Sequence, residues 1–214
     1  MHPEILSANQ LNILKKLNFL PSGMYLAGGT ALALQLGHRT SLDLDFYTKS
    51  HFDGNALLGQ FRKKFSRVTI SRNLKDTLIV DIEGVSFSAF YYQYDLLKPT
   101  SLYTTIQVAS VEDIAAMKMT AVSMRGKSRD FIDVYYLLRK FSLKEILAFT
   151  LKKYPMYQSM AILKGLIYFE DADSEEDVKR GIRIFDKNFD WQTVKREITS
   201  TVEEYQALIT KRHN

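Results

Sequence analysis

The chain has 214 residues, 46% of them apolar and 25% charged, long enough to bury a core and too apolar to stay disordered. The absence of cysteine excludes disulfides, thiolate zinc sites and thiol catalysis, and no apolar run approaches the ~18 residues that a membrane span needs. The net charge of +5, from 29 basic and 24 acidic residues, is a mild excess whose distribution says more than its size.

The opening "MHPEILSANQ" lacks the basic start and apolar stretch of a signal peptide, so a cytoplasmic protein with no membrane partner is expected. Residues 3–18 place Ile5, Leu11, Leu14 and Leu17 at helical spacing before Pro21-Ser22-Gly23 stops the helix. "MYLA" reads as a short strand ending at Gly28-Gly29, and "TALALQLG" as a helix closed by Gly37. Residues 42–47 read as a strand, with Leu42, Leu44 and Phe46 on one face and Ser41, Asp43 and Asp45 on the other. A helix is expected over residues 55–65. Strands follow in "RVTISR", "TLIVDI", "VSFSAFYYQY" and "TTIQVA", with Glu83-Gly84 as a two-residue hairpin turn between the middle two.

From Ser110 onward the pattern is helical, with segments expected at about 111–125, 129–140, 142–153, 157–168, 174–186 and 190–211. Ser110 suits an N-cap, and Asp113 stands where a carboxylate can reach back to a free backbone amide. The expected division is therefore an α/β domain over residues 1–109 and an all-helical domain over 110–214. With no linker between them, the helical half is expected to dock on the sheet.

The stretch "LAGGTALALQLGHRTSLDLDFYT" carries the chemistry. A Gly-Gly turn that ends a strand and opens a helix presents free amides and the positive helix end to an anion, and Thr30 adds a hydroxyl. Asp43 and Asp45 then arrive two apart, about 6.6–7 Å apart along a strand with side chains parallel. Buried carboxylates need a cation. Two on one side can share a pair of Mg²⁺ (or Mn²⁺) ions about 3.5–4 Å apart, the arrangement of in-line phosphoryl transfer. A phosphate cradle beside such a pair implies a nucleoside triphosphate (NTP) site, with Gly28, Gly29 and Thr30 on the phosphates and Asp43 and Asp45 on metal. Arg39 is placed either to hold a phosphate or to pair with one of the aspartates. His38 fits neither a metal cluster nor a triad and reads as loop packing.

Further along, Lys118 interrupts the apolar stripe of Val111, Ile114, Ala121 and Val122, so it either meets a carboxylate or phosphate or reaches the surface. Asp130 and Asp133 lie on one side of the first turn of a helix that is apolar nearly all round, where they could pair with Lys118, Arg125 or Arg129. Arg62, Lys63, Lys64, Arg67, Arg72 and Lys75 form a basic cluster without acids among them, either a solvated face or a phosphate-neutralising surface. Phe87, Phe90, Tyr91, Tyr92 and Tyr94 read as core and rim, with base stacking by one of the tyrosines as the weaker alternative.

"GGTALALQLGHRTSLDLDF" resembles the first motif of the nucleotidyltransferase superfamily, a Gly-Gly or Gly-Ser pair followed by Asp-x-Asp or Asp-x-Glu. "GHR-S-DLDF" and "SVEDIAAMKMTAVSMRGKSRDFIDVYYLL" narrow the resemblance to the AbiEii/AbiGii toxin family of type IV toxin–antitoxin and abortive-infection systems, over roughly residues 24–140. The resemblance implies a nucleotidyltransferase-fold mixed sheet with an appended helical domain contributing to an active-site cleft. It also implies Mg²⁺-dependent transfer of NMP from an NTP to a hydroxyl, with release of pyrophosphate. Lys118 would then meet the triphosphate, Asp130 would lie beside the site, and Asp133 would be an architectural partner. A third carboxylate found in some relatives has no clear equivalent: Ser88 stands at its position, and Asp81 is the alternative. By the same resemblance the acceptor is RNA, such as a tRNA 3′ end, contacted by the basic cluster, and an antitoxin is a partner. Transfer to a small molecule in the manner of antibiotic nucleotidyltransferases, a catalytically silent protein-binding member of the fold, and a nucleotide-hydrolysing or phosphotransferring enzyme are the alternatives.

Overall fold

The computed structural model describes residues 1–174 and 182–211. It divides into two compact units, residues 1–110 and 111–214.

The first unit opens with a 3₁₀ turn at Pro3–Ile5 and helix α1 at Ala8–Lys16, started by a capping box in which Ser7 and Gln10 satisfy each other's backbone amides. Strand β1 (Tyr25–Ala27) runs directly into α2 (Gly28–Leu36), and β2 (Leu44–Thr48) and α3 (Gly54–Lys64) follow. Five further strands, β3 (Val68–Leu74), β4 (Thr77–Ile82), β5 (Val85–Tyr91), β6 (Ser101–Tyr103) and β7 (Ile106–Val108), complete one seven-stranded sheet in the order β3-β4-β5-β2-β1-β7-β6. The sheet is mixed: β2 pairs parallel to β5 and β1 parallel to β7, and the remaining pairs are antiparallel.

Alternation along the strands gives the sheet two different faces. Leu26, Phe46, Phe87 and Val80 point to one of them and are essentially fully buried. Phe61 of α3 closes on this face, its ring centroid 4.7 Å from that of Phe87, which in turn stacks on Phe46 at 5.0 Å. Ala27, Asp45, Ser88 and Ile79 lie in register across the other face. Glu83 and Gly84 both have positive φ, 53° and 86°, as a type I′ hairpin turn demands.

Two expectations are corrected here. Regular pairing of β2 begins at Leu44, and Leu42 is 45% exposed instead of facing the core. The reason is that β1 ends at Ala27, opposite Asp45, where the chain turns into α2, so the β1–β2 ladder stops short of residue 43. Strand β6, which the sequence pattern did not suggest, pairs with β7 across a turn at Thr104, whose φ is 52°.

The second unit is helical: α4 (Val111–Arg125), α5 (Ser128–Leu138), α6 (Leu143–Lys153), α7 (Ser159–Leu166), α8 (Glu170–Ser174) and α9 (Trp191–Thr210). Helix α4 packs against α5, α6 and α7, and α9 against the last three. A capping box between Ser142 and Glu145 starts α6, and the Asp190 side chain caps α9. Gly165 brings α7 so close to α4 that a Cβ there would lie 2.7 Å from the Ser123 Cα. Of the helix expected over 174–186, residues 175–181 lie outside the described residues and 182–186 are not helical. Among the described residues no helix is long and apolar enough to cross a membrane.

Candidate active site

The Gly-Gly turn and the two aspartates come together within the first unit. Gly28 is the first residue of α2 and has φ +69°, a left-handed conformation that a side chain disfavours. Its missing Cβ leaves room for Asp45: a Cβ placed there would stand 3.2 Å from Asp45 Oδ2. At Gly29 a Cβ would meet Arg39 Nη2 at 2.6 Å and Ser41 Oγ at 3.4 Å, so both glycines admit a close neighbour. Helix α2 starts at Ala27 without any side-chain cap, which leaves its first amides to other acceptors.

Each surrounding residue has a definite place. The Thr30 hydroxyl donates to the Asp43 carbonyl, which fastens the approach to β2 onto the start of α2. That hydroxyl proton is thus engaged by the backbone, so the cradle offers backbone amides before it offers a side-chain donor. Asp43 and Asp45 are both half-buried. Arg39 is 2% exposed, with its guanidinium against Gly29 and Nη1 donating to the Thr40 carbonyl at 2.9 Å. Gln10 Nε2 donates to the Ser41 carbonyl at 2.8 Å and steadies the same loop. Neither Gln10 nor Ser41 was a sequence candidate, because nothing in their local pattern marks a contact between residues so far apart.

Ser88 pairs with Asp45 across the β2–β5 ladder, so an uncharged hydroxyl stands beside the aspartate. Asp81 lies two register positions from the Ile79–Ser88 pair, opposite Ser86, and its Oδ1 accepts the Gly84 amide at 2.9 Å, stabilising the hairpin turn. Among the described residues there is no group of three or more His, Asp or Glu side chains arranged to hold a metal. Two carboxylates nevertheless fit Mg²⁺, which typically takes one or two protein carboxylates and completes its shell with substrate phosphates and water.

The basic cluster is also in this unit. Arg62, Lys63, Lys64, Arg67, Arg72 and Lys75 are all exposed, on the end of α3, on the edge strand β3 and in the turns that flank it. A register shift between Ile70 and Arg72 inserts Ser71 as an extra residue and pairs Arg72 with Ile79. Arg72 thereby joins the row Asp45–Ser88–Ile79 on the acid-bearing face.

In the helical unit, Lys118 is buried between two carboxylates, with Nζ 2.6 Å from Asp130 Oδ1 and 2.6 Å from Asp133 Oδ2. A second buried pair joins Lys153 Nζ to Asp113 Oδ1 at 2.8 Å, with both side chains fully enclosed. Asp113 therefore ties α4 to α6, a partnership that a first-turn carboxylate does not advertise. Lys153 did carry a signal: Ile146, Leu147, Thr150 and Lys153 share the buried face of α6.

Comparison with known proteins places these features. The nucleotidyltransferase AbiEii toxin family of type IV toxin–antitoxin systems matches residues 12–94 and 76–208. The chain belongs to this family. Its fold and its enzyme class are accordingly those of a nucleotidyltransferase. An uncharacterized protein of Aquifex aeolicus is 40% identical over 187 residues, covering 85% of this chain and 87% of that protein. Among solved structures, JHP933 of Helicobacter pylori superposes with TM-score 0.57 and 19% identity over 97% of both chains. The nucleotidyltransferase toxin MenT4 of Mycobacterium tuberculosis gives 0.56 at 14% identity, over 90% of this chain and 82% of that one. The antibiotic-resistance factor ANT(2″)-Ia gives 0.51 at 12% identity, over 69% and 92%. At these identities the three structures speak for the fold.

Proposed function

We propose that this AbiEii-family nucleotidyltransferase moves NMP from a Mg²⁺-bound NTP to an acceptor hydroxyl. The observation that carries this is the packing of Asp45 against Gly28, which sets a carboxylate beside the uncapped start of a helix. In the reaction, the acceptor oxygen forms a bond to the α-phosphorus as the bond to the β-phosphate bridge breaks, and pyrophosphate leaves. Amides of Gly28, Gly29 and Thr30 bind phosphate oxygens, assisted by the helix dipole. Arg39, lying under Gly29, adds positive charge to the turn. Asp43 and Asp45 would hold the metal, which when bound would supply Lewis-acid charge to the phosphoryl oxygens. Ser88, uncharged beside Asp45, is no general base, so the proton of the acceptor hydroxyl has water or a carboxylate of the site as its acceptor.

Lys118 and Asp130 enter through the family resemblance, as triphosphate and catalytic residues, with Asp133 holding Lys118 in place. The buried ion pairs among the three support a fixed ammonium, and Lys118→Met separates the roles. Loss of transfer with the fold retained supports function, whereas loss of the fold assigns the lysine to architecture.

For the acceptor we favour RNA, because the basic surface of α3 and β3 includes an arginine that the bulge sets in the row of Asp45. An antitoxin partner follows from the family. The test is transfer of label from each α-³²P-NTP in Mg²⁺, with total RNA or an aminoglycoside as acceptor. Labelled RNA, lost when the six basic residues are reversed in charge, supports the proposal. Labelled aminoglycoside alone favours a small-molecule enzyme, and free nucleotide or phosphate as the only product indicates hydrolysis.

A further inference from the structure

The face of the sheet that carries Asp45 also carries a row of aromatic rings for which the transfer chemistry has no use. Tyr47 follows Asp45 by two residues on β2, on the same side of the strand and about 6.6–7 Å along it. In register beside it stand Tyr25 on β1 and Phe90 on β5. The centroid of Tyr47 is 6.3 Å from that of Tyr25, in a stacked pair, and 5.7 Å from that of Phe90. Tyr92 stands edge-on to Tyr47 at 5.2 Å, and Tyr94 edge-on to Tyr92 at 5.3 Å.

The two faces use their rings differently. Phe46, Phe61 and Phe87 on the helix-covered face are fully buried. Tyr47 and Phe90 on the acid-bearing face, and Tyr92 and Tyr94 in the segment that follows β5, all remain partly exposed. Rings that are held rigidly by a sheet and still show part of their surface are suited to planar ligands, and base–aromatic stacking tolerates any base because every base has a π-face.

We propose that this row is a nucleobase platform: a base stacks at Tyr47 and Phe90 while its phosphate lies one row away at Asp45. Only the phosphate end rests on the transfer function proposed above. The base belongs either to the incoming triphosphate or to the terminal nucleotide of a polynucleotide acceptor, and the ring chemistry is the same for both.

Tyr47→Leu and Phe90→Leu keep apolar bulk and remove the π-face, and Tyr47→Phe keeps the ring. Equilibrium binding to these and to wild type is measured with Mg²⁺ and each NTP, Mg²⁺ and inorganic triphosphate, a short oligoribonucleotide, and the same oligonucleotide with an abasic 3′ end. A stacked base predicts a Kd weakened about 5- to 150-fold in the leucine variants for base-bearing probes only. Tyr47→Phe then matches wild type, and inorganic triphosphate binds all four proteins alike. An effect confined to NTPs identifies the incoming base, and one confined to the intact oligonucleotide identifies the acceptor base. Fluorescence of 2-aminopurine in the same probes, quenched on binding to wild type, tests stacking even if a leucine variant fails to fold. Unquenched 2-aminopurine, unchanged affinities, or uniform weakening of every probe overturns the platform and leaves triphosphate binding to stand. Conversely, base-dependent oligonucleotide binding without triphosphate binding keeps the platform and removes the transfer function.

Discussion

Replacing Gly28 by alanine perturbs the link between fold and site at one atom. At φ +69° an L-residue costs about 1–2 kcal/mol. For a unit of roughly this size each kcal/mol lowers Tm by about 4–8 °C. The new methyl also stands 3.2 Å from Asp45 Oδ2, so the carboxylate must yield by a few tenths of an ångström. If a displacement of ~1 Å costs about 100-fold, this shift corresponds to roughly 3- to 10-fold in kcat/KM. Gly23→Ala is the matched control: its φ is +78°, but a Cβ there has nothing within 4 Å. Both variants should lose similar stability by thermal melting, and only Gly28→Ala should lose Mg²⁺-nucleotide affinity and turnover. Indistinguishable nucleotide binding by the two variants would refute the placement of Asp45 at the nucleotide.

Other consequences concern the helical unit. Lys153→Met removes the cation from the enclosed Asp113 carboxyl and should cost about 3–5 kcal/mol in chemical denaturation, whereas the double change Lys153→Met/Asp113→Leu should recover most of it. No recovery would mean that the pair stabilises beyond neutralising itself. Gly165→Ala drives a methyl against the α4 backbone at Ser123 and should destabilise by about 1–3 kcal/mol, visible as a lower denaturation midpoint. Acid should lower the stability in part through carboxylates that cap helices or accept side-chain hydrogen bonds. Asp190 is held below its usual pKa by the Thr193 hydroxyl and amide, Glu145 by the Ser142 hydroxyl and amide, and Asp173 by the Trp191 indole and Lys195. A carboxylate whose folded pKa is depressed contributes its full stability above the unfolded value and loses it as pH falls through the folded one. Melts between pH 7 and 3 should therefore decline below about pH 4, and Asp190→Asn, which still caps, should flatten part of that decline. An unchanged acid limb in this variant contradicts the assignment.

Much of the fold was legible because period and punctuation agreed. The helices from Val111 to Lys153, the Glu83-Gly84 hairpin and the Gly-Gly junction all carry local signals, and each forms where its signal lies. Legibility failed where a tertiary contact decided. Leu42 has strand alternation but no β1 partner, and β6 turns at Thr104 without the glycine or asparagine that marks a hairpin. At the candidate site, Asp45 and the glycines were readable as types at a spacing. The burial of Arg39 under Gly29 and the engagement of the Thr30 hydroxyl by Asp43 were not, because both depend on how the loop over residues 37–43 folds back on α2. The bulge that brings Arg72 into the row of Asp45 is centred on a serine and leaves no mark in the pattern.

The most direct test of the nucleotide site is calorimetric titration of an α,β-methylene NTP analogue into wild type and Asp45→Asn, with Mg²⁺ and with EDTA. Wild type should bind only with Mg²⁺ present, and the asparagine variant should lose that dependence together with most of its affinity. Metal-dependent binding of wild-type strength by Asp45→Asn would show that this carboxylate does not hold the metal.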